Sequence, residues 1–158
     1  MAKAGLQFSK KDEWYTPKEI VDKFGQFDYD PATTEERAKY LEIPNFDTIE
    51  TDGLSSDWSN YRYIWINPPF SRKFDFLKKL MATLQNPNRI ETVCVLLPIE
   101  TLTTRNFHEI VTETFDVIIP NGRIKFDDGM GGGTSPAFGS VVLVFGKGCQ
   151  GKMMRCKL

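Results

Sequence analysis

The chain of 158 residues has few of the side chains from which metal sites and disulfide frameworks are built. It contains one histidine, His108, and three cysteines, Cys94, Cys149 and Cys156. The cysteines form no C-x-x-C pair and have no zinc-type spacing, so a structural metal is not expected. Cys94 lies within an apolar run, and we interpret it as a small buried hydrophobic residue.

Long apolar runs and an excess of one charge are also missing. No window has the length and apolarity of a membrane span, and the N-terminal stretch has no apolar signal-peptide core. These absences predict a soluble cytoplasmic protein without a membrane partner. The formal net charge of −1 argues against coating nucleic acid through bulk charge, but it allows a local basic patch.

The residues that are present favour one globular domain. Hydrophobic residues make up 41% of the chain, which is enough for a packed core in a chain of this length. We expect a single domain over residues 1–158, with its core at about 10–146 and loosely held ends. The chain is too short for a separate target-recognition domain. The sequence does not determine the oligomeric state, and a monomer is slightly favoured.

Strand and helix patterns alternate along the chain. Content of β-branched and aromatic residues predicts strands at Arg62–Asn67, Thr92–Pro98, Asp116–Pro120 and Ser140–Phe145, with weaker ones at Phe27–Asp30 and Arg123–Phe126. Capping signals and helical periodicity predict helices at Pro17–Phe24, Lys73–Leu84 and Thr103–Thr112. The alternation predicts an α/β fold with a mostly parallel sheet. The last two predicted strands have no helical pattern between them, so we expect a C-terminal antiparallel hairpin at one edge.

The strongest local signal is the tetrapeptide Asn67-Pro68-Pro69-Phe70, which directly follows a predicted strand. Ligands of parallel α/β sheets bind beyond the carboxyl ends of strands. The two prolines fix a stiff turn that presents acceptors, namely the Asn67 side-chain oxygen and the Pro68 carbonyl. Such acceptors suit methyl transfer to an amine of the adenine type, and the Phe70 ring can stack on a base. A simple strand-ending turn is the alternative.

The tetrapeptide resembles the [D/N/S]-P-P-[Y/F/W] motif of amino methyltransferases. Five further stretches follow the order of the phage-type DNA N6-adenine methyltransferases, a compact Dam-like family that the chain resembles over roughly residues 12–146. These stretches are Trp14-Tyr15-Thr16-Pro17, Asp30-Pro31-Ala32, Asp52-Gly53-Leu54 with Trp58, Gly122–Phe126 and Pro136–Ser140.

The resemblance implies an abbreviated Rossmann-like methyltransferase fold, S-adenosylmethionine as cofactor, DNA with a flipped-out adenine as partner, and a phage or prophage origin. It implies catalytic roles for Asn67, Pro68, Pro69 and Phe70, and cofactor binding by Trp14, Tyr15, Thr16, Pro17, Asp30, Pro31, Ala32, Asp52 and Asn67. Asp30 would pair with the cofactor's ammonium group, and Asp52 would accept from its adenine. A helix cap at Thr16 and core packing of Trp14 are the structural alternatives.

One departure from the family pattern concerns the cofactor half. After Ala32 the chain continues Thr33-Thr34-Glu35-Glu36, without the usual G-x-G turn. Little room remains before Asp52 for a full helix and strand, so this half of the sheet is expected to be abbreviated. The ribose-binding acid stays open among Glu35, Asp47 and Glu50.

Target binding is expected to depend on local features. Arg72, Arg123 and Lys125 are candidates for phosphate contacts. The glycine-rich loop Asp127–Ser135 either helps hold a flipped base or is an ordinary hairpin loop. Without a recognition domain, target recognition should be short or relaxed.

Two other functions remain open from the sequence. The same tetrapeptide chemistry serves amino methyltransferases that act on RNA or on protein glutamine. A degenerate methyltransferase fold used as a binding module would explain the missing G-x-G. Cytosine-C5 methylation is disfavoured because the chain has no Pro-Cys turn to supply a nucleophile.

Overall fold

The computed structural model describes residues 14–127 and 133–158, and a seven-stranded sheet forms its centre. The strands, in sheet order, are β2 (Asn45–Phe46), β1 (Tyr29–Asp30), β3 (Tyr63–Ile66), β4 (Thr92–Pro98), β8 (Ser140–Gly146), β5 (Asp116–Pro120) and β9 (Met153–Cys156). A separate ribbon pairs β6 (Phe126–Asp127) with β7 (Gly133–Thr134). The expected loose N-terminal end, about residues 1–8, and residues 128–132 of the glycine-rich loop lie outside the described residues.

The sheet is mixed, with a parallel half that contains β2, β1, β3 and β4. The predicted α/β class and mostly parallel sheet are confirmed. The antiparallel pairing of β5 with β8 is also confirmed, but its expected place at the edge is wrong, because β8 lies between β4 and β5. The run Val141-Val142-Leu143 is fully buried, as suits a strand covered on both faces.

The edge beyond β5 is formed by β9, which pairs with β5 in parallel. The expectation of a loose end after Gly146 is therefore wrong. Asp116 anchors this segment, because its Oδ1 accepts from the Gln150 N–H at 3.0 Å and the Lys152 N–H at 2.8 Å. The C-terminal segment forms this strand through its backbone hydrogen bonds, although its composition does not predict one.

Within the residues that the structure describes, four α-helices accompany the sheet: α1 (Lys18–Val21), extended by a 3₁₀ turn at Asp22–Phe24, α2 (Glu35–Leu41), α3 (Lys73–Leu84) and α4 (Arg105–Ile110). The predicted helices correspond to α1 with its 3₁₀ turn, α3 and α4, whereas α2 was not predicted. Thr34 caps α2 and Thr104 caps α4, each accepting from the backbone N–H three residues later.

The core occupies both faces of the sheet. Along β4, Val93, Val95 and Leu97 pack in one cluster with α3, while Cys94 and Leu96 pack in the other with α1. Burial raises the pKa of the Cys94 thiol to about 12, in keeping with its interpretation as a buried hydrophobic residue. Within residues 14–127 and 133–158, no helix is long and apolar enough to cross a membrane.

Candidate active site

A cleft opens at the carboxyl ends of β1 and β3. Four chain segments contribute to its wall, within residues 14–16, 30–41, 48–53 and 65–76. The predicted site residues that line it are Trp14, Tyr15, Thr16, Asp30, Pro31, Ala32, Asp52, Asn67, Pro68, Pro69 and Arg72. Pro17 stands at the start of α1 and Phe70 beside the cleft, in the turn before α3. The sheet thus brings together motifs that are more than fifty residues apart in the sequence.

The side chain of Asn67 is held in one orientation. Its Nδ2 donates to the Trp14 carbonyl oxygen and, at 3.0 Å, to Thr16 Oγ1. A carbonyl oxygen can only accept, so the amide nitrogen faces Trp14 and Oδ1 faces away from it. Thr16 does not cap α1, because Pro17 is the N-cap residue and no side chain caps that helix. The buried Thr16 instead helps fix the Asn67 acceptor.

The residues after Asn67 form a rigid turn. The Pro69 carbonyl accepts from the Arg72 N–H at 2.9 Å, and the Phe70 carbonyl accepts from Lys73 Nζ at 3.0 Å. Pro68 is buried between Asn67 and this turn. These bonds fix the path of the main chain from which the Pro68 carbonyl projects.

An aromatic cluster surrounds Phe70. The Phe70 ring stacks on Trp14 with centroids 6.3 Å apart and meets the edge of Phe138 at 5.0 Å. Trp14 also contacts Phe126 and Phe138 edge-on. Core packing of Trp14 and its position in the cleft wall are therefore compatible. Phe138 lies within one of the quoted family stretches, and only the fold shows that it touches Phe70.

Asp30 ends β1 and is only 2% exposed. Burial raises the pKa of its carboxyl to about 7, although the Ala32 N–H, 2.9 Å from Oδ1, favours the charged form. The Asp30 carbonyl accepts from the Asp47 N–H at 2.9 Å, which ties the strand end to the segment after β2. The cleft therefore contains a buried acid that is charged only in part near neutral pH.

Gly53 provides the close backbone approach in this cleft. A Cβ built on Gly53 would lie 1.9 Å from the Pro31 carbonyl oxygen, so only glycine fits. Asp52 precedes it with φ 56°, in the left-handed region, and accepts from the Ser55 hydroxyl at 2.7 Å. The Gly53 carbonyl accepts from Trp58 Nε1 at 2.7 Å, which anchors the turn to the core.

The three candidate ribose acids all lie outside the cleft wall as the described residues form it. Glu35 pairs with Lys39 at 2.8 Å on the exposed face of α2. Glu50 accepts from the Thr48 hydroxyl at 2.7 Å, and Asp47 accepts from the Tyr29 hydroxyl at 2.5 Å. The acid that this part of the chain presents to the cleft is Asp52, next to the exposed Ile49.

Arg37 is a cleft residue that sequence reasoning missed. It is 9% exposed, with Nη1 3.1 Å from Asp127 Oδ2 and Nη2 donating to the Thr16 carbonyl at 2.9 Å. Its guanidinium lies over the rings of Tyr15 and Tyr40, at 5.0 and 4.5 Å from the centroids. In sequence the charged run EERAK gives no sign that one of its side chains is buried.

The three predicted phosphate contacts lie in two places. Arg72 is half exposed and lines the cleft. Arg123 and Lys125 are exposed and alternate with the buried Ile124 and Phe126, so both face solvent beside β6. The cleft and the exposed side of this segment therefore both carry basic side chains.

The described residues contain no group of three or more His, Cys, Asp or Glu side chains that could hold a metal ion. The polar side chains that line the cleft carry two carboxylates, one amide, two guanidiniums and several hydroxyls, next to aromatic rings. Such groups can bind a zwitterionic ligand and accept hydrogen bonds from an amine.

Comparison with known proteins agrees with this geometry. The family model described as DNA N-6-adenine-methyltransferase (Dam) matches residues 3–155. A DNA N-6-adenine-methyltransferase of Haemophilus phage HP1 (strain HP1c1) is 33% identical over 132 residues, covering 80% of this chain and 72% of the relative. One of Escherichia phage T1 is 34% identical over 97 residues, covering 59% of this chain and 38% of the relative, less than two thirds of its length. The chain belongs to the DNA N-6-adenine-methyltransferase (Dam) family.

Proposed function

We propose that this chain transfers a methyl group from S-adenosylmethionine to the N6 amino group of adenine in DNA. The observation that carries the proposal is the orientation of Asn67, whose amide nitrogen is engaged by Trp14 and Thr16 so that Oδ1 is left as an acceptor. Membership of the Dam family and the names of both phage relatives support the same reaction.

The cleft fits a cofactor with an amino-acid end and a nucleoside end. Asp30 is a buried carboxylic acid in the cleft wall and is suited to the ammonium group. Asp52 and the exposed Ile49 also line the cleft, and we propose that this acceptor and this apolar side chain bind the adenine ring of the cofactor. S-adenosylmethionine would supply an electrophilic methyl group on its sulfonium sulfur.

Asn67 and Pro68 act on the amine of the target base. The amine's lone pair is conjugated into the ring, which makes it a weak nucleophile. Asn67 Oδ1 and the Pro68 carbonyl accept the two amine hydrogens and draw the nitrogen toward tetrahedral geometry, which frees the lone pair for attack. Pro69 stiffens the turn, so the acceptors are in place before the base arrives and need little reorganisation.

The base reaches these acceptors only when it has left the duplex. A flipped adenine would stack on Phe70, which Trp14 and Phe138 hold in orientation. Arg72 lies at the cleft, and Arg123 and Lys125 lie on an exposed face beside β6, which suits contacts with the phosphates flanking a flipped nucleotide.

The sheet supports an abbreviated Rossmann-like methyltransferase fold in a single domain over residues 1–158. The parallel strands β2, β1, β3 and β4 place the cleft at their carboxyl ends, as open α/β sheets do. The two-residue strands β1 and β2 and the seven-residue helix α2 shorten the cofactor half.

The direct test is transfer of labelled methyl from S-adenosylmethionine to unmethylated DNA, followed by nucleoside analysis. N6-methyladenine is the expected product. Transfer to RNA or to protein glutamine instead of DNA would assign another amino methyltransferase activity. Absence of both transfer and cofactor binding by calorimetry would make the chain a binding module with a methyltransferase-like fold.

A further inference from the structure

We propose that Arg37 binds the α-carboxylate of the cofactor's amino-acid end, a role that rests on the proposed function. The cleft wall contains two buried charged side chains, Asp30 at 2% and Arg37 at 9% exposure. They stand at the two ends of one short segment, from the end of β1 to the first turns of α2.

The pairing of charges follows from the ligand's chemistry. The amino-acid end of S-adenosylmethionine is zwitterionic, so it carries an ammonium and a carboxylate on the same carbon. Asp30 matches the ammonium, which leaves the carboxylate in need of a cation in a site shielded from water. A guanidinium binds a carboxylate through parallel N–H groups, and burial strengthens such a bond.

The position of Arg37 is set by contacts on three sides. Its guanidinium lies over Tyr15 and Tyr40, donates to the Thr16 carbonyl and pairs with Asp127. These contacts fix it against the Tyr15–Thr16 part of the cleft wall. A guanidinium has five N–H donors, so the two hydrogen bonds to Thr16 and Asp127 do not exhaust its capacity.

Arg72 is the other arginine in the cleft wall, and its surroundings differ. Its side chain is 51% exposed, and its Nε lies 3.5 Å from Asp75 Oδ2. Water competes for an exposed guanidinium, so Arg72 is the weaker candidate for the carboxylate and the better one for a DNA phosphate.

The test uses a matched pair of ligands, S-adenosylmethionine and its decarboxylated form, which keeps the ammonium and lacks only the carboxylate. Calorimetry without DNA measures both dissociation constants on the full chain. We expect the wild type to prefer S-adenosylmethionine by roughly 10- to 100-fold, the effect of one charged hydrogen-bonding group. Arg37→Gln should lose that preference while its affinity for the decarboxylated ligand stays within about twofold.

Three further variants separate carboxylate binding from a structural role. Arg105→Gln alters an exposed arginine on α4 and should leave both affinities unchanged. Asp127→Asn removes the ion-pair partner of Arg37 but leaves the guanidinium, so the preference should persist. Arg72→Gln should also keep the preference, and its loss there would assign the carboxylate to Arg72 and overturn the proposal.

Further results of the calorimetry would contradict the role of Arg37. Equal weakening of both ligands by Arg37→Gln would show that Arg37 only supports the wall. If that variant does not fold, equal affinity of the wild type for the two ligands, or loss of the preference in Arg72→Gln, would still overturn the role of Arg37. Binding of neither ligand to the wild type would contradict the proposed cofactor itself, a result distinct from equal binding of both.

Discussion

At the scale of single residues, the rate of methyl transfer should depend most strongly on the acceptor atom Oδ1 of Asn67. Asn67→Ala removes Oδ1, and we expect the rate of methyl transfer to fall by roughly 100- to 1000-fold, as when one preorganised polar group is removed from an active site. Cofactor affinity should change far less, because the atom that is lost is the proposed acceptor for the target amine. Single-turnover kinetics and calorimetry measure the two effects separately.

Thr16→Val is the matched control for Asn67→Ala. It removes one acceptor of the Asn67 amide, keeps the shape of the side chain and leaves Oδ1 in place. A loss of rate as large as that of Asn67→Ala would mean that anchoring of the wall, and not the acceptor oxygen, is what methyl transfer requires.

Asp30 makes cofactor binding sensitive to pH. The pKa of its buried carboxyl is about 7, so at pH 6 most molecules carry the proton. An ammonium ligand favours the carboxylate, and we expect binding at pH 6 to release about one proton and at pH 8.5 almost none. Calorimetry in buffers of different ionisation enthalpy counts the protons. Asp30→Asn should abolish the release, and an unchanged count would show that another group titrates.

The raised pKa of Asp30 also determines whether its carboxyl favours or opposes folding as the pH changes. The folded-state pKa of Asp30 lies above the ordinary value of 3.8, so the folded protein binds more protons than the unfolded chain between about pH 4 and 7. The contribution of this carboxyl to the free energy of unfolding therefore falls as pH rises through that window. The site keeps an acid that is unfavourable for folding at high pH, as suits a group whose partner is a ligand.

At the scale of elements, the sequence predicted the helices and strands whose pattern lies in neighbouring residues, and it did not predict contacts between distant ones. The helix α3 matches its prediction because its apolar residues repeat with a helical period, and Asn67–Phe70 lies at a strand end as its sequence indicated. The short α2 was missed because EERAKYL has few apolar residues to show a period. Arg37 and Asp127 are 90 residues apart, so only the fold could show their contact.

The turn that begins at Asp52 brings main chain close to the segment after β1, and Gly53 is its critical residue. Gly53→Ala places a Cβ 1.9 Å from the Pro31 oxygen, so the segment after β1 or the turn must move. We expect a loss of about 1–3 kcal/mol in the free energy of unfolding and weaker cofactor binding. Thermal unfolding and calorimetry test both effects.

Gly122→Ala is the control for Gly53→Ala, because its Cβ would meet its nearest neighbour at 3.9 Å. It should leave the free energy of unfolding within about 0.5 kcal/mol of the wild type. If Gly53→Ala proves equally mild, the close approach to Pro31 relaxes easily, and Gly53 has no special part in shaping the cleft.

At the scale of the whole molecule, the proposed function requires both catalysis and target recognition. The segments that we propose for contacts with the target bases are the region Thr33–Asp57, part of which lines the cleft, and the loop Asp127–Ser135. Each base pair read directly needs at least one well-placed side chain, and each good bidentate contact discriminates by about 1–3 kcal/mol. A surface of this size, with a net charge of −1, offers few such contacts.

We therefore predict a short or relaxed methylation target. Methylation of a genome-length unmethylated DNA, mapped by single-molecule sequencing, should give modified adenines in many contexts that share only a few neighbouring bases. Neutralising Arg123 and Lys125 together to glutamine should lower methylation in all contexts to a similar degree, because phosphate contacts carry no sequence information directly. A long, strictly required site would contradict this prediction.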